Sequence, residues 1–399
     1  MNDDLKHLQP YPFEKLDELK QGLTPPRNLN HIALSIGEPQ HPSPHFVIEN
    51  LIAHLHQLSK YPSTKGSTEL REAIASWLCG RFALDPSSID PEQNILPVNG
   101  TREGLFAIAQ CIVDRSASNS LVMMPNPFYQ IYQGAAILAG AKPLLMNCIE
   151  ANQYLPDLDA ITDEQWSQCQ LIYICTPGNP TGAVMSDGYL QNLIALAQKH
   201  DFVIASDECY SEIYLDENQP PPGLLGAAMA MGLSDFRNCL VFHSLSKRSN
   251  LPGLRSGFVA GDAKLLQKFL LYRTYHGSSM PPATQSASTA AWSDEAHVID
   301  NRARYREKFD QVLSILSDTL APRKPQGGFY LWPKTPIADT KFAQRLFAEQ
   351  NITVLPGSYL SRNTPEGNPG ENRFRMALVA PLGECREAAL RINTLLTSL

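Results

Sequence analysis

Val241-Phe-His-Ser-Leu-Ser-Lys-Arg-Ser-Asn-Leu-Pro-Gly-Leu-Arg-Ser-Gly257 is the stretch of the chain that decides the fold. The apolar run 240–242, which begins one residue before this stretch, is typical of a short buried strand, and the polar residues after it indicate a turn. That turn contains Lys247, and Arg255 follows eight residues later. We therefore expect a lysine, serine hydroxyls and an arginine to meet where this strand ends.

Strands of the same kind lie on both sides of this stretch and alternate with helices. The predicted strands are 95–98, 121–124, 143–146, 171–175, 202–206, 240–242 and 257–259, and the predicted helices between them are 101–111, 129–139 and 187–199. This alternation predicts an α/β fold with a mostly parallel sheet between helices. In such sheets, ligands bind at the carboxyl ends of the strands.

The pattern changes after residue 281. A long helix over 295–320, a second over 340–349 and a strand over 373–379 predict a smaller α+β domain. The proline-rich start of the chain predicts an irregular arm that joins this domain. The predicted division is an arm at 1–45, a large domain at 46–285 and a small domain at 286–399.

Composition excludes several classes of protein. A chain of 399 residues with 43% hydrophobic and 18% charged residues is expected to fold, and its length favours two domains. The net charge of −7 disfavours a nucleic-acid partner. No apolar run approaches a membrane span, and the first residues lack a signal-peptide pattern, so we expect a cytoplasmic protein. The eight scattered cysteines indicate reduced thiols, with no metal site.

The chemistry of the Lys247 turn suits pyridoxal 5′-phosphate. An amine can form a Schiff base with the cofactor aldehyde, while Ser244 and Arg255 hold its phosphate. The three residues Gly100-Thr101-Arg102, at a strand-to-helix turn, favour the same phosphate through free backbone N–H groups. From these residues alone, a solvated surface lysine and a plain helix cap are equally good interpretations.

Four further side chains follow predicted strands. Tyr129 can stack on a flat ring, and Asn179, in the run Pro177-Gly-Asn-Pro-Thr-Gly182, can donate to a ring oxygen. Asp207 at a strand end would be costly to bury unless a protonated pyridine nitrogen paired with it, and Tyr210 could donate to the phenolic oxygen. Core packing, a loop and a helix cap are the ordinary alternatives. Arg375, in a strand-like run, suits a carboxylate, or is a surface arginine on an edge strand.

The order of these residues along the chain resembles the fold-type I, class I/II PLP-dependent aminotransferases over nearly the whole length. Within that family, Leu8-Gln-Pro-Tyr-Pro-Phe-Glu-Lys-Leu16, Ser35-Ile-Gly-Glu-Pro39 and Arg373-Phe-Arg-Met-Ala-Leu-Val-Ala-Pro381 are most similar to succinyldiaminopimelate aminotransferases. Arg102 departs from the pattern, because relatives often have lysine or a small residue there.

The resemblance implies a role for each position. Lys247 would bind the cofactor and move the substrate proton, with Asp207 and Tyr210 as the other catalytic residues. The implied cofactor-binding residues are Gly100, Thr101, Arg102, Tyr129, Asn179, Asp207, Tyr210, Ser244, Lys247 and Arg255, together with Tyr61 from the neighbouring subunit of a homodimer. Ser279 would also approach from the partner. The implied substrate-binding residues are Arg375, Gly37 and Asn179, and the Asn179–Pro180 bond is often cis in relatives.

The resemblance also implies a reaction. It is the transfer of an amino group between N-succinyl-LL-2,6-diaminopimelate and 2-oxoglutarate, in lysine biosynthesis. An aspartate, alanine or aromatic aminotransferase and a carbon–sulfur lyase of the same fold are the alternatives. A transcription regulator with such a domain would need a DNA-binding module, for which the arm is too short. Arg27, Lys65 and Arg362 are candidates for the distal carboxylate, or ordinary solvated charges.

Overall fold

Twelve β-strands and fourteen α-helices form the fold in the computed structural model, which describes residues 1–399. The strands are β1 (Ile32–Ala33), β2 (Ile95–Val98), β3 (Leu121–Asn126), β4 (Lys142–Asn147), β5 (Cys169–Cys175), β6 (Val203–Asp207), β7 (Cys239–Ser244), β8 (Gly257–Gly261), β9 (Tyr330–Leu331), β10 (Ile352–Thr353), β11 (Leu355–Pro356) and β12 (Phe374–Ala377). The helices are α1 (Pro12–Lys20), α2 (His45–Ala53), α3 (Thr68–Phe82), α4 (Thr101–Ile112), α5 (Ile131–Leu138), α6 (Asp163–Gln168), α7 (Asp187–His200), α8 (Leu224–Ala230), α9 (Leu245–Arg248), α10 (Ala263–His276), α11 (Pro282–Trp292), α12 (Ala296–Leu316), α13 (Asp339–Gln350) and α14 (Leu382–Leu396).

Seven strands form one large sheet in the order β2-β8-β7-β6-β5-β3-β4. Strands β3 to β7 pair in parallel, and only β8 runs antiparallel to its neighbours β7 and β2. This confirms the predicted α/β fold with a mostly parallel, seven-stranded sheet. The register places Cys175 beside Asp207 and Asp207 beside Phe242, so β5, β6 and β7 end at the same edge.

Both faces of the large sheet are buried. Along β5, Ile172 and Ile174 point into one apolar core, while Leu171 and Tyr173 point into the other. Successive residues of a strand face opposite sides, so a strand that is apolar throughout is covered on both sides. Burying each such side chain contributes about 1.5–3 kcal/mol, which fixes the strand ends firmly in place.

A smaller sheet has the antiparallel order β11-β12-β9, with β12 in the middle. The pair β1 and β10 lies beside it, and Ala377 N donates to Leu34 O at 2.8 Å. Arg375 therefore lies on a central strand and is only 4% exposed, so the interpretation as a surface arginine on an edge strand is wrong.

The arm differs from the expected irregular segment, because it contains helix α1. Pro12 at the first helical position and Glu14, whose carboxylate accepts from Tyr11 N at 3.3 Å, explain why the helix begins there. Further along the arm, Ile32 and Leu34 pack in the core of the smaller sheet. The division at 45/46 and 285/286 stays a prediction.

None of the fourteen helices combines the length and the apolar character that a membrane span requires.

Candidate active site

A cavity of about 550 Å³ lies where the carboxyl ends of β5, β6 and β7 face the smaller sheet. Twelve of the residues predicted from the sequence line it: Gly37, Thr101, Arg102, Tyr129, Asn179, Asp207, Tyr210, Ser244, Lys247, Arg255, Arg362 and Arg375. The wall also contains residues that the sequence analysis did not single out, among them Tyr11, Tyr330 and Tyr359. The strand ends and the small-sheet residues thus share one space.

Lys247 lies on the short helix α9, directly after β7. Its Nζ donates to Gly37 O at 2.5 Å. Burial lowers the pKa of Lys247 to about 8, and the positive charges of Arg375 and Arg255 act in the same direction. A lysine with this pKa carries a substantial neutral fraction near pH 7–8, and the neutral amine is the form that attacks an aldehyde.

Asp207 is the last residue of β6 and is buried. Tyr132 Oη donates to its Oδ2 at 2.6 Å, and Cys209 N donates to its Oδ1 at 3.3 Å. Burial raises the pKa of Asp207, and the hydrogen bonds from Tyr132 and Cys209 oppose that rise. No lysine or arginine pairs with this carboxylate. A protonated ring nitrogen would supply the missing cation, so Asp207 fits the pyridine end of pyridoxal phosphate.

Tyr132 is a site residue that the sequence analysis missed. It is fully buried on α5, and its ring stacks on Tyr173 with 4.7 Å between ring centroids and 9° between planes. The stack aims its hydroxyl at Asp207. The predicted helix 129–139 would place it on the same face as Tyr129, three residues earlier. In the structure, however, the helix begins only at Ile131, so Tyr129 precedes it.

The start of α4 and the turn after β7 form an anion-binding corner. Gly100 has φ +79°, and a Cβ there would lie 2.3 Å from Arg255 Nη2, so only glycine allows this approach. Thr101 begins α4 with unpaired backbone N–H groups, and Ser244 Oγ accepts from Ser246 N at 3.1 Å. Free N–H groups, hydroxyls and a guanidinium in one corner fit a phosphate.

Arg102 lies at the cavity but is held by two tyrosine hydroxyls. Its Nε donates to Tyr129 Oη at 2.6 Å, and its Nη2 donates to Tyr11 Oη at 3.2 Å. Burial raises the pKa of Tyr129 to about 12, so its hydroxyl stays neutral. The phosphate contact expected for Arg102 stays a prediction.

Arg375 forms the opposite side of the cavity. Its Nη2 donates to Ser35 O at 2.6 Å and its Nη1 to Asn179 Oδ1 at 3.1 Å, and the guanidinium lies 4.6 Å from the Tyr330 ring centroid. Its buried Nε has no partner within the chain. A buried guanidinium with an unused N–H and no acidic partner suits a carboxylate from outside the chain.

Two tyrosines complete this side. Tyr210 and Tyr330 share a hydrogen bond of 2.9 Å between their hydroxyls. A Cβ on Gly37 would lie 1.9 Å from Tyr330 Oη, so glycine at 37 lets the tyrosine approach. Asn179 uses its Oδ1 for Arg375, and the Asn179–Pro180 bond is cis.

Five predicted residues are not part of the cavity lining: Gly100, which precedes Thr101 in the anion-binding corner, and Tyr61, Ser279, Arg27 and Lys65. Tyr61 is fully exposed, and Ser279 Oγ donates to Thr64 Oγ1 at 3.3 Å. Their roles across a dimer stay predictions. Arg27 is exposed and Lys65 pairs with Glu92 at 2.6 Å, whereas the third candidate for the distal carboxylate, Arg362, lines the cavity.

Comparisons with known proteins agree with this geometry. The family model described as aminotransferase class I and II matches residues 30–392. The chain is similar to an LL-diaminopimelate aminotransferase of Maridesulfovibrio salexigens, at 31% identity over 98% of each chain. Among solved structures, it is similar to an aminotransferase from Neisseria meningitidis, with 47% identity, a TM-score of 0.95 and coverage of 99% and 100% of the two chains.

A probable N-succinyldiaminopimelate aminotransferase of Thermus thermophilus is also similar in structure. The identity is 27%, the TM-score is 0.85, and the match covers 96% of this chain and 99% of that one. The chain belongs to the class I and II aminotransferase family. It is a pyridoxal-phosphate-dependent aminotransferase that acts on amino acids and keto acids.

Proposed function

We propose that the amino donor is N-succinyl-LL-2,6-diaminopimelate and that 2-oxoglutarate is the acceptor, with the reaction running in either direction. The observation that carries the proposal is that Lys247 and Arg375 face one cavity whose floor contains the buried carboxylate of Asp207. The similar Thermus and Maridesulfovibrio proteins are named for diaminopimelate-type substrates, which supports a substrate of this type.

Each residue has a defined task in this proposal. Pyridoxal phosphate, when bound, accepts the substrate amine and delocalises the electron pair left at Cα. Arg375 binds the α-carboxylate and so orients the Cα–H bond toward Lys247 Nζ, which removes and returns the proton. Tyr132 and Cys209 donate to Asp207 and so favour its ionised form, against the burial that raises its pKa.

Other residues hold the cofactor in place. Thr101, Ser244 and Arg255 would bind the phosphate, and Tyr129 would stack on the ring. Tyr11 and Phe13 of the arm lie in the cavity wall, where they help to exclude water.

LL-diaminopimelate itself is the second candidate. The curated relative from Maridesulfovibrio carries that name, and it matches this chain over 98% of its length. The two substrates share the reacting amino-acid end and differ only beyond it, so the same catalytic residues serve both.

A half-reaction assay separates the candidates. The visible absorbance of the bound cofactor is followed after each amino donor is added alone, without a keto acid. We expect N-succinyl-LL-diaminopimelate and glutamate to bleach it fastest, with LL-diaminopimelate, aspartate, alanine and phenylalanine slower. A faster reaction with LL-diaminopimelate would favour the second candidate, and ammonia release from cystathionine would mark a carbon–sulfur lyase.

We also propose that the enzyme is a cytoplasmic homodimer in which Tyr61 reaches the partner's cofactor. Tyr61 is fully exposed, and Ile52 and Leu58 near it are exposed apolar residues, which suits a covered surface. Sedimentation of the wild-type protein and of Y61F, with cofactor retention measured on both, tests this proposal.

A further inference from the structure

An arginine without a counter-ion lies in the wall of the same cavity. Arg362 donates from Nε to Gln133 Oε1 at 3.1 Å and from Nη1 to Ser361 O at 2.9 Å. Its Nη2 makes no hydrogen bond within the chain, and no carboxylate forms an ion pair with it. Burial lowers the pKa of Arg362. A cation that is partly removed from water is costly unless an anion offsets it, so this guanidinium suits an anion from outside the chain.

The position of Arg362 is fixed by the neighbouring strand. Its backbone N donates to Asn126 Oδ1 at 3.0 Å, and Asn126 Nδ2 donates back to Arg362 O at 2.9 Å. The guanidinium also lies 5.2 Å from the ring centroid of Phe128. A charged group that is held in one place loses little entropy when it binds an anion, which favours affinity.

Arg362 belongs to the same wall as Arg375. Leu355 of β11 pairs with Arg375 of β12, and the chain then runs from β11 through a short turn to Arg362. Lys15 does not line the cavity, but it lies within range of the charge of Arg362. Burial and that charge lower the pKa of Lys15, and Glu18 opposes them.

Arg102 is a weaker candidate for the same task. Its Nε and Nη2 are already engaged by the hydroxyls of Tyr129 and Tyr11. Arg27 and Lys65 do not line the cavity. Arg362 is held by a side-chain amide and a backbone carbonyl, and its Nη2 is left unused. The guanidinium of Arg102, in contrast, is held by two tyrosine hydroxyls of the cavity.

We infer that Arg362 is a specificity-determining residue that binds a second carboxylate at the far end of an amino-acid substrate. The inference rests on the proposed function because it takes Arg375 as the site of the α-carboxylate. The substrate class is dicarboxylic. The far end of N-succinyl-LL-diaminopimelate carries two carboxylates and no ammonium, whereas that of LL-diaminopimelate carries one of each. A cation at this end favours the succinylated compound.

Calorimetry on the holoenzyme tests this inference without turnover. The probes are straight-chain dicarboxylates of five to nine carbons, each compared with the monocarboxylate of equal length. For the best length, we expect the wild type to bind the dicarboxylate roughly 10- to 100-fold more tightly, the range expected for a charge-assisted hydrogen bond. R362Q should lose this preference and keep its affinity for monocarboxylates, while the exposed matched control R27Q keeps both.

Other outcomes contradict the inference. A wild type without dicarboxylate preference, or R362Q that retains it, overturns the role of Arg362. If R362Q does not fold, R362K is measured in its place. A lysine lacks the fixed fork of donors, so the affinity for dicarboxylates should fall about fivefold or more, while the affinity for monocarboxylates stays unchanged. An equal fall for both probes would mean a structural role.

The inference and the proposed function can fail separately. If N-succinyl-LL-diaminopimelate is not a substrate but R362Q abolishes the dicarboxylate preference, only the proposed function fails. If it is a substrate and R362Q leaves its KM unchanged, only the inference fails.

Discussion

The two sides of the active-site cavity are built in different ways. One side, the cofactor edge, consists of residues at or just beyond the ends of β5, β6 and β7: Asn179, Asp207, Ser244 and Lys247. The other side, the carboxylate wall, consists of Gly37, Tyr330, Arg362 and Arg375. The cofactor edge is fixed by neighbouring strands of one sheet. The carboxylate wall joins distant segments, for Arg375 donates to the carbonyl of Ser35, 340 positions away.

This difference separates two kinds of function. Groups at the ends of buried strands are rigid, which suits a cofactor that must stay in one place. Groups that bridge the arm, the small sheet and a turn can vary without disturbing the large sheet, which suits substrate recognition. Variants of the cofactor edge should therefore lower kcat and cofactor retention, and variants of the carboxylate wall should raise KM.

The largest expected effect is at Lys247. Lys247→Ala should fold but lose the visible absorbance of the bound cofactor and lower turnover by roughly 10⁴-fold, because the proton-transferring amine is removed. Absorbance spectra and steady-state rates measure both. Lys308 is the matched control, since burial also lowers its pKa to about 8 and it lies outside the cavity. Lys308→Met should keep the cofactor absorbance. A loss of absorbance in Lys308→Met but not in Lys247→Ala would contradict the assignment of Lys247.

A large effect of a different kind is expected at Arg375. Arg375→Ala should raise the KM of every amino-acid substrate about 100-fold, because a desolvated charge pair with the α-carboxylate is lost. Cofactor absorbance should stay unchanged. Arg373→Ala is the control, because Arg373 is two residues away and pairs with Glu150 rather than facing the cavity. An unchanged KM in Arg375→Ala would move the α-carboxylate site elsewhere.

The pH dependence of cofactor uptake tests the cofactor edge. The neutral amine of Lys247 is the reactive form, and its pKa is lowered to about 8. Below this pH the neutral fraction rises about tenfold per pH unit, so the rate of uptake by cofactor-free protein should rise steeply and level off above pH 8. Stopped-flow absorbance measures this rate. A rise that continued to pH 10 would mean an unperturbed lysine.

The smallest expected effect is at Tyr132. Tyr132→Phe removes a donor to Asp207, which should raise the pKa of that carboxylate and lower kcat roughly tenfold. The pH profile of kcat should shift with it. Tyr173→Phe is the control, because its hydroxyl donates to Leu105 O and does not touch Asp207. Equal effects of both variants would indicate a packing role for Tyr132.

The sequence predicted the cofactor edge better than the carboxylate wall. Asp207 and Lys247 each follow a short apolar run, and strands of one parallel sheet end at the same edge, so their proximity follows from local patterns. The run Gly327-Gly-Phe-Tyr-Leu-Trp332 is plain in the sequence, but Tyr330 was not predicted as a site residue. No local pattern indicates that Tyr330 packs against Gly37. The arm was expected to be irregular, yet it contains α1, because Pro12 and Glu14 favour a helix start that a proline-rich composition conceals.

Arg362 shows the same limit most clearly. In the sequence it is one of three possible cations for a distal carboxylate. Only the fold separates them, by placing Lys65 against Glu92, leaving Arg27 exposed and holding Arg362 between Asn126 and Phe128. Burial and the absence of an acidic neighbour are properties of the folded chain, and no local pattern encodes them.

The amino-acid sequence alone determined the large sheet and placed polar residues just after its strands. These two results follow from short-range regularities, namely apolar runs, turns and the residue types that follow them. The cofactor followed from the order of those residues along the chain, through the resemblance to a known family. The tertiary structure decided which cations line the cavity, which tyrosine donates to Asp207 and which glycines permit close approach. Those facts depend on contacts between residues that lie far apart in the chain, from 75 positions for Tyr132 and Asp207 to 340 for Ser35 and Arg375. The free energies of such contacts are set by packing and burial.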